Sequence, residues 1–278
     1  MNQSTHQKPH AILFPYPLQG HVIPFVNLTI KLASYGFTIT FINTQSIHQQ
    51  ISKASRPNTN DVEGNDLFSG ARKSGLDILD VTIYDGFPVD FDRSLNHDEY
   101  FEFIMNDFGY HVDEIVGKLV LSNPSPNILI TDTFYVWTTT IAKKYNLVSV
   151  SYWTEPALVF SVYYHLDLLR QNGHYDCIDN KREDIIDYIT GVKAIKPTDL
   201  PSYLQSNDTN MVVNRIINRA FIDVKNVEFI ICNTVQELES ETIAALQQNQ
   251  PVYAIGPIFS PVFSNTCVHK PVVRVRLH

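Results

Sequence analysis

The sequence predicts an α/β protein built on a doubly wound parallel β-sheet. Three observations carry that expectation. Short apolar runs alternate with longer amphipathic stretches along the chain. Several of those runs are rich in Val, Ile and Phe without strict polar alternation, as parallel strands covered on both faces by helices require. The first strand, helix, strand unit is also punctuated at both helix ends.

The first strand is expected from His10 to Pro15 and the first helix from Ile23 to Tyr35. Pro24 suits the first helical turn, where its missing N–H is not needed, and Gly36 can take the left-handed conformation that ends a helix. The second strand, Phe37 to Asn43, follows at once. Ser52 to Gly75 is polar and holds Pro57, Gly64, Gly70 and Gly75, so it is expected as a surface excursion before a third strand at Ile78 to Ile83. Asp85 to Asn96 combines turn formers with Phe87 and Phe91. Those rings either offer aromatic surface to an apolar ligand or anchor the loop to the core, and the sequence leaves both readings open. Further strands are expected at Asn127 to Thr131, Leu147 to Tyr152, Glu228 to Cys232 and Val252 to Ile255. Helices are expected at His111 to Leu121, Tyr135 to Tyr145, Pro156 to Gln171, Met211 to Lys225 and Gln236 to Gln248.

Composition narrows the function classes. With 278 residues, 44% of them hydrophobic, the chain can bury a large core and is not disordered on a domain scale. Its formal charge of -8, without a long basic run, gives no general attraction to nucleic acid. Cys177, Cys232 and Cys267 are far apart, lack C-x-x-C spacing and cannot all pair, which fits a reducing compartment. The polar N-terminus leads into an apolar run too short for a signal peptide or a membrane span, so a cytoplasmic protein without stable membrane insertion is expected. The sequons at Asn27 and Asn207 are then chance matches.

Two residues stand out chemically. His21, in FPYPLQGHVIP, lies between the first strand and the first helix, where a strand's carboxyl end opens into a ligand crevice. A histidine there can act as a general base, and a positive helix end would help keep it neutral. The pattern alone also suits a loop histidine bonded to backbone and doing no chemistry. Asp132 follows an apolar strand directly and so shares the same sheet edge. It could hold the non-reacting nitrogen of His21 and stabilise the imidazolium, or it could cap the next helix. No cluster of His, Cys and carboxylates argues for a metal, and no G-x-G-x-x-G after the first strand argues for a nicotinamide dehydrogenase.

The stretch HAILFPYPLQGHVIPFVNLTIKLASYGFTITFINT resembles the opening of plant family 1 UDP-sugar glycosyltransferases, and ILITDTFYVWTTTIAKKYNLVSVSYWTEPA resembles their second hallmark. DGFP at Asp85, FIICNT at Phe229 and VYAIGPI at Val252 match in the expected order. YPLQGHVIPF, DFDRSLNHDEYFEF and SYWTEPA are most similar to the branch called UDP-glycosyltransferase 86A. The resemblance implies a Rossmann-like doubly wound sheet, the N-terminal domain of a GT-B fold. It also implies an inverting transfer from a UDP-sugar, expected to be UDP-glucose, to a hydroxyl of a small apolar acceptor. In that scheme His21 is the base and Asp132 its support, Gly20 and Thr154 reach the donor sugar, and Phe87, Phe91, Trp137 and Trp153 are expected near the acceptor. The UDP-sugar is a co-substrate, and neither cofactor nor metal is implied.

The chain also departs from that pattern. Residues 1 to 258 are expected as the acceptor domain, with 259 to 278 an atypical tail in place of the interdomain linker and the donor domain absent. The donor box, W-x-P-Q through H-C-G-W-N-S to D/E-Q, does not occur, and the ending FSPVFSNTCVHKPVVRVRLH has no acidic residue. An altered reading frame after about Ser260 is expected. Without the donor half the proximity effect is lost, so this polypeptide is expected to be weak or inactive alone. The alternative is a non-catalytic module that binds small hydroxylated ligands.

Overall fold

The computed structural model describes residues 8–54, 67–177, 182–206, 208 and 210–259. Seven strands, β1 (His10–Phe14), β2 (Thr38–Thr44), β3 (Ile78–Ile83), β4 (Ile128–Asp132), β5 (Val148–Trp153), β6 (Phe229–Cys232) and β7 (Val252–Ala254), form one sheet in the order β3-β2-β1-β4-β5-β6-β7. Every neighbouring pair is parallel. Each expected strand is present within a residue or two of its expected ends, and β1 and β2 are buried along their whole length, whereas the edge strands β3 and β7 are partly exposed.

The helices are α1 (Gln19–Ser34), α2 (Gln45–Ala54), α3 (Ser69–Lys73), α4 (His97–Asn106), α5 (Phe108–Leu119), α6 (Thr138–Tyr145), α7 (Ala157–Tyr164), α8 (Leu166–Gln171), α9 (Ser202–Gln205), α10 (Val212–Asp223) and α11 (Ser240–Leu246). They cover both faces of the sheet. Along β1, Ala11 and Leu13 point into a cluster with Phe25 and Leu28 of α1, whereas Ile12 and Phe14 point into one with α4, α5 and α6. A third cluster, around Trp153, Phe160, Leu169, Phe221 and Ile230, fills the space between β5, β6 and helices α7, α8 and α10.

Several helix boundaries differ from expectation. α1 starts at Gln19, not Ile23, because the Leu18 carbonyl accepts from both His21 N and Val22 N at 2.9 Å. Pro24 therefore sits inside the helix rather than in its first turn. The N–H it lacks would have reached the Gly20 carbonyl, and Gly20 is exposed, so water can serve that oxygen. Gly36 ends the unit as expected, with φ 92°.

The expected excursion from Ser52 to Gly75 is partly helical. α2 continues straight from β2, and α3 precedes β3, while residues 55–66 lie outside the described residues. α2 escaped notice because QSIHQQISKA offers only Ile47 and Ile51 as an apolar stripe. α4 was not expected either, although Tyr100, Phe101, Ile104 and Met105 make a buried helical stripe. The single helix expected from Pro156 to Gln171 breaks at His165, and the last helix begins at Ser240 rather than Gln236. Ile258 is still tied to the body, its N–H donating to Asn233 Oδ1 at 2.9 Å. Residues 260–278, all of the acid-free ending except Phe259, lie outside the described residues.

Candidate active site

β1 is hydrogen-bonded to β2 on one side and to β4 on the other. The connections leaving β1 and β4 therefore run in opposite directions, which opens a crevice at their carboxyl ends. Register places Phe14 opposite Thr131, so the chain leaves the sheet at nearly the same height on both strands. His21 enters this crevice from the first turn of α1, and Asp132 is the last residue of β4.

His21 Nδ1 lies 2.7 Å from Asp132 Oδ2, with the two side chains 13% and 2% exposed. The other carboxylate oxygen, Oδ1, accepts from Phe134 N at 3.0 Å. That bond orients the carboxylate without making it a helix cap: α6 begins only at Thr138, with Trp137 at the N-cap position. The imidazole is flanked by Tyr16, with ring centres 5.8 Å apart, and by Phe134 at 5.7 Å, edge-on. Its Nε2 makes no hydrogen bond among the described residues.

Burial opposes protonation of His21, yet the charge and hydrogen bond of Asp132, assisted by the charge of Glu155, outweigh it. The imidazole is held above its ordinary pKa. This reverses the expectation that the helix end keeps the ring neutral, because a carboxylate in direct contact acts more strongly than half a charge spread over a helix terminus. Burial also raises the pKa of Glu155, reinforced by Asp132 and opposed by His21. The three groups thus share one electrostatic environment.

The remaining sequence candidates fall in three settings. Gly20 is the second residue of α1, is exposed, and has no neighbouring atom within 4 Å of where a Cβ would stand. Thr154 is half-buried just past β5, beside Glu155. Phe87 and Phe91 stack on each other, 4.4 Å between centres, and pack partly buried against the cluster that holds Phe14. Trp153 is 1% exposed and donates Nε1 to the Pro156 carbonyl at 2.9 Å. Trp137 is 8% exposed, has its ring centre 4.5 Å from that of Tyr135, and keeps Nε1 buried without a hydrogen-bond partner among the described residues. Both tryptophans belong to the packed layer beneath the crevice. Sequence reasoning did not single out Tyr16, Phe134 and Glu155. Their signal was adjacency: Tyr16 lies in FPYP just ahead of His21, Phe134 two residues past Asp132, and Glu155 next to Thr154.

Among the described residues no helix is long and apolar enough to cross a membrane. No model of a protein family matches the chain. The chain is 58% identical over 266 residues to UDP-glycosyltransferase 86A1 of Arabidopsis thaliana, covering 94% of this chain and 53% of that protein. It is 54% identical over 258 residues to UDP-glycosyltransferase 86A2 of the same plant, covering 92% and 52%. Its fold matches that of Phytolacca americana UGT2 complexed with UDP-2-fluoro-glucose and pterostilbene, with a TM-score of 0.70, 19% identity, and coverage of 91% of this chain and 55% of that one. The chain thus spans about half the length of the relatives it matches. In sequence it is similar to about half of each 86A protein, sharing more than half of the aligned residues, and its α/β fold is similar to about half of the Phytolacca americana UGT2 chain.

Proposed function

We propose that the chain is the acceptor-binding half of an inverting UDP-sugar-dependent glycosyltransferase, with His21 as general base. One observation carries this reading: the 2.7 Å contact between His21 Nδ1 and Asp132 Oδ2 at the crevice between β1 and β4. Asp132 accepts a hydrogen bond from Nδ1–H, which leaves the Nε2 lone pair as the basic site. Nε2 takes the proton of an acceptor hydroxyl, the oxygen attacks the anomeric carbon from the face opposite UDP, and UDP leaves with the bonding electrons. The imidazolium formed is stabilised by Asp132 and Glu155. Gly20 and Thr154 flank the crevice and are proposed to meet the donor sugar. Phe87 and Phe91 are proposed on the acceptor side, whereas Trp137 and Trp153 act from beneath as packing. The acceptor is a small, largely apolar hydroxylated molecule and the donor is UDP-glucose. The absence of paired cysteine spacing supports a cytoplasmic setting.

The experiment is incubation of the purified chain with UDP-glucose and a panel of phenols, repeated with His21→Ala. Glucoside that falls about 100-fold or more in the variant supports a base at His21. Product that persists unchanged in His21→Ala overturns that role, and ligand binding without any product favours the non-catalytic binding reading for this polypeptide.

A further inference from the structure

Resting on the proposed acceptor role, we infer that Glu155 sets the charge selectivity of the acceptor, admitting neutral and cationic molecules and rejecting those that carry a carboxylate. Glu155 lies at the edge of a cavity of about 470 Å³ between α7 and the segment 195–203. The cavity walls are apolar, formed by Leu158, Val159, Val162 and Ile195. Tyr163, Ser202 and Tyr203 bring hydroxyls, and Glu155 and Asp199 bring carboxylates. No lysine or arginine is among the residues lining it.

The two carboxylates are not equivalent. Asp199 Oδ2 accepts from Lys196 N at 2.9 Å and is committed to its own turn. The Glu155 carboxylate makes no hydrogen bond among the described residues, and its field reaches both His21 and Tyr163. It therefore lines the cavity and is coupled through its charge to the base. An acceptor whose hydroxyl approaches His21 Nε2 and whose body enters the cavity passes Glu155. A carboxylate on that body meets the Glu155 charge in a partly desolvated setting with no cation lining the cavity to offset it, whereas an ammonium or a hydroxyl gains a partner.

Tyrosol, tyramine and 4-hydroxyphenylacetate share one phenol and differ chiefly in side-chain charge. Their binding to the 278-residue chain at pH 7.5, by isothermal titration or ligand-observed NMR, reads the selectivity directly. Tyramine and tyrosol are expected to bind about fivefold or more tightly than 4-hydroxyphenylacetate, the size of a like-charge interaction across a partly hydrated cavity. Glu155→Gln should narrow the gap by about twofold or more, with Asp199 retaining the remainder, and Glu155→Lys should narrow it further or reverse the order. Glu155 is flanked by protein on its cavity side but keeps much of its side chain in solvent, so both variants are expected to fold, which far-UV circular dichroism verifies. An unchanged ratio in Glu155→Gln, or no binding by any of the three compounds, overturns the inference. Binding needs no sugar transfer, so charge selectivity without glucoside would favour the non-catalytic binding reading for this polypeptide and leave the role of Glu155 standing. Glucoside that depends on His21 but ignores acceptor charge would sink only the role of Glu155.

Discussion

His21 gains its chemistry from two neighbours that are far away in sequence. Asp132 holds the ring's Nδ1, and Tyr16 and Phe134 limit its movement, so Nε2 faces the crevice in one orientation. Replacing Asp132 by Asn keeps the shape but removes the charge that outweighs burial. The His21 pKa, followed by NMR of its ring protons, should then fall from above the ordinary imidazole value to below it. Any His21-dependent transfer should drop about 100-fold, and its acidic pH limb should move to lower pH. The same shift has a consequence for stability. A histidine whose folded pKa is raised contributes stability that is fully present below its unfolded pKa and is lost as pH rises through the folded value. His21→Ala should therefore lower the urea midpoint more at pH 6 than at pH 9. Equal losses at the two pH values would show that the ion pair adds nothing to the fold.

At the level of elements, two carboxylates hold the parts that flank the crevice. Asp85, 1% exposed, accepts from Arg93 Nη2 at 2.7 Å and Nε at 2.9 Å, from Ser46 at 3.0 Å and from Tyr100 at 3.3 Å. Arg93 also donates to the carbonyls of Phe87, Pro88 and Phe91, so one guanidinium ties the aromatic loop to α4 and β3. Arg93→Ala leaves a buried carboxylate without its cation and should cost about 3 kcal/mol in urea unfolding, with faster amide exchange over residues 87–95. Arg93→Lys should recover only part, since an ammonium cannot make the paired contact. Glu239 works differently. Its oxygens accept from Ala157 N and Leu158 N at 2.8 Å and from the Thr234 hydroxyl, which caps α7 from a distant segment. Glu239→Ala should cost about 1 to 2 kcal/mol, because two backbone donors at a positive helix end lose their acceptor.

Across the whole molecule, one seven-stranded sheet carries every cluster, and the two tryptophans report on different stretches of one face: Trp137 packs with Phe14, Trp153 with Phe160 and Phe221. Unfolding followed by tryptophan fluorescence and by far-UV circular dichroism should therefore give coincident transitions. Separate midpoints would show that the β5 to β7 side unfolds independently. The strands were legible in the sequence because runs such as AILF, TITFIN and LIT are apolar on both faces, and only a covered parallel sheet buries both. α2 and α4 were not, since their apolar stripes are short and lie among polar or aromatic residues whose spacing also suits loops. Of the crevice, the sequence by itself determined that His21 and Asp132 each leave the carboxyl end of a parallel strand. Only the tertiary structure decided that these two strands are neighbours, at the one point where the winding reverses, and that Glu155 shares their field while Trp137 and Trp153 lie beneath it. Strand order and side-chain depth follow from how helices of particular length pack on a twisted sheet, and no local pattern of residues encodes that.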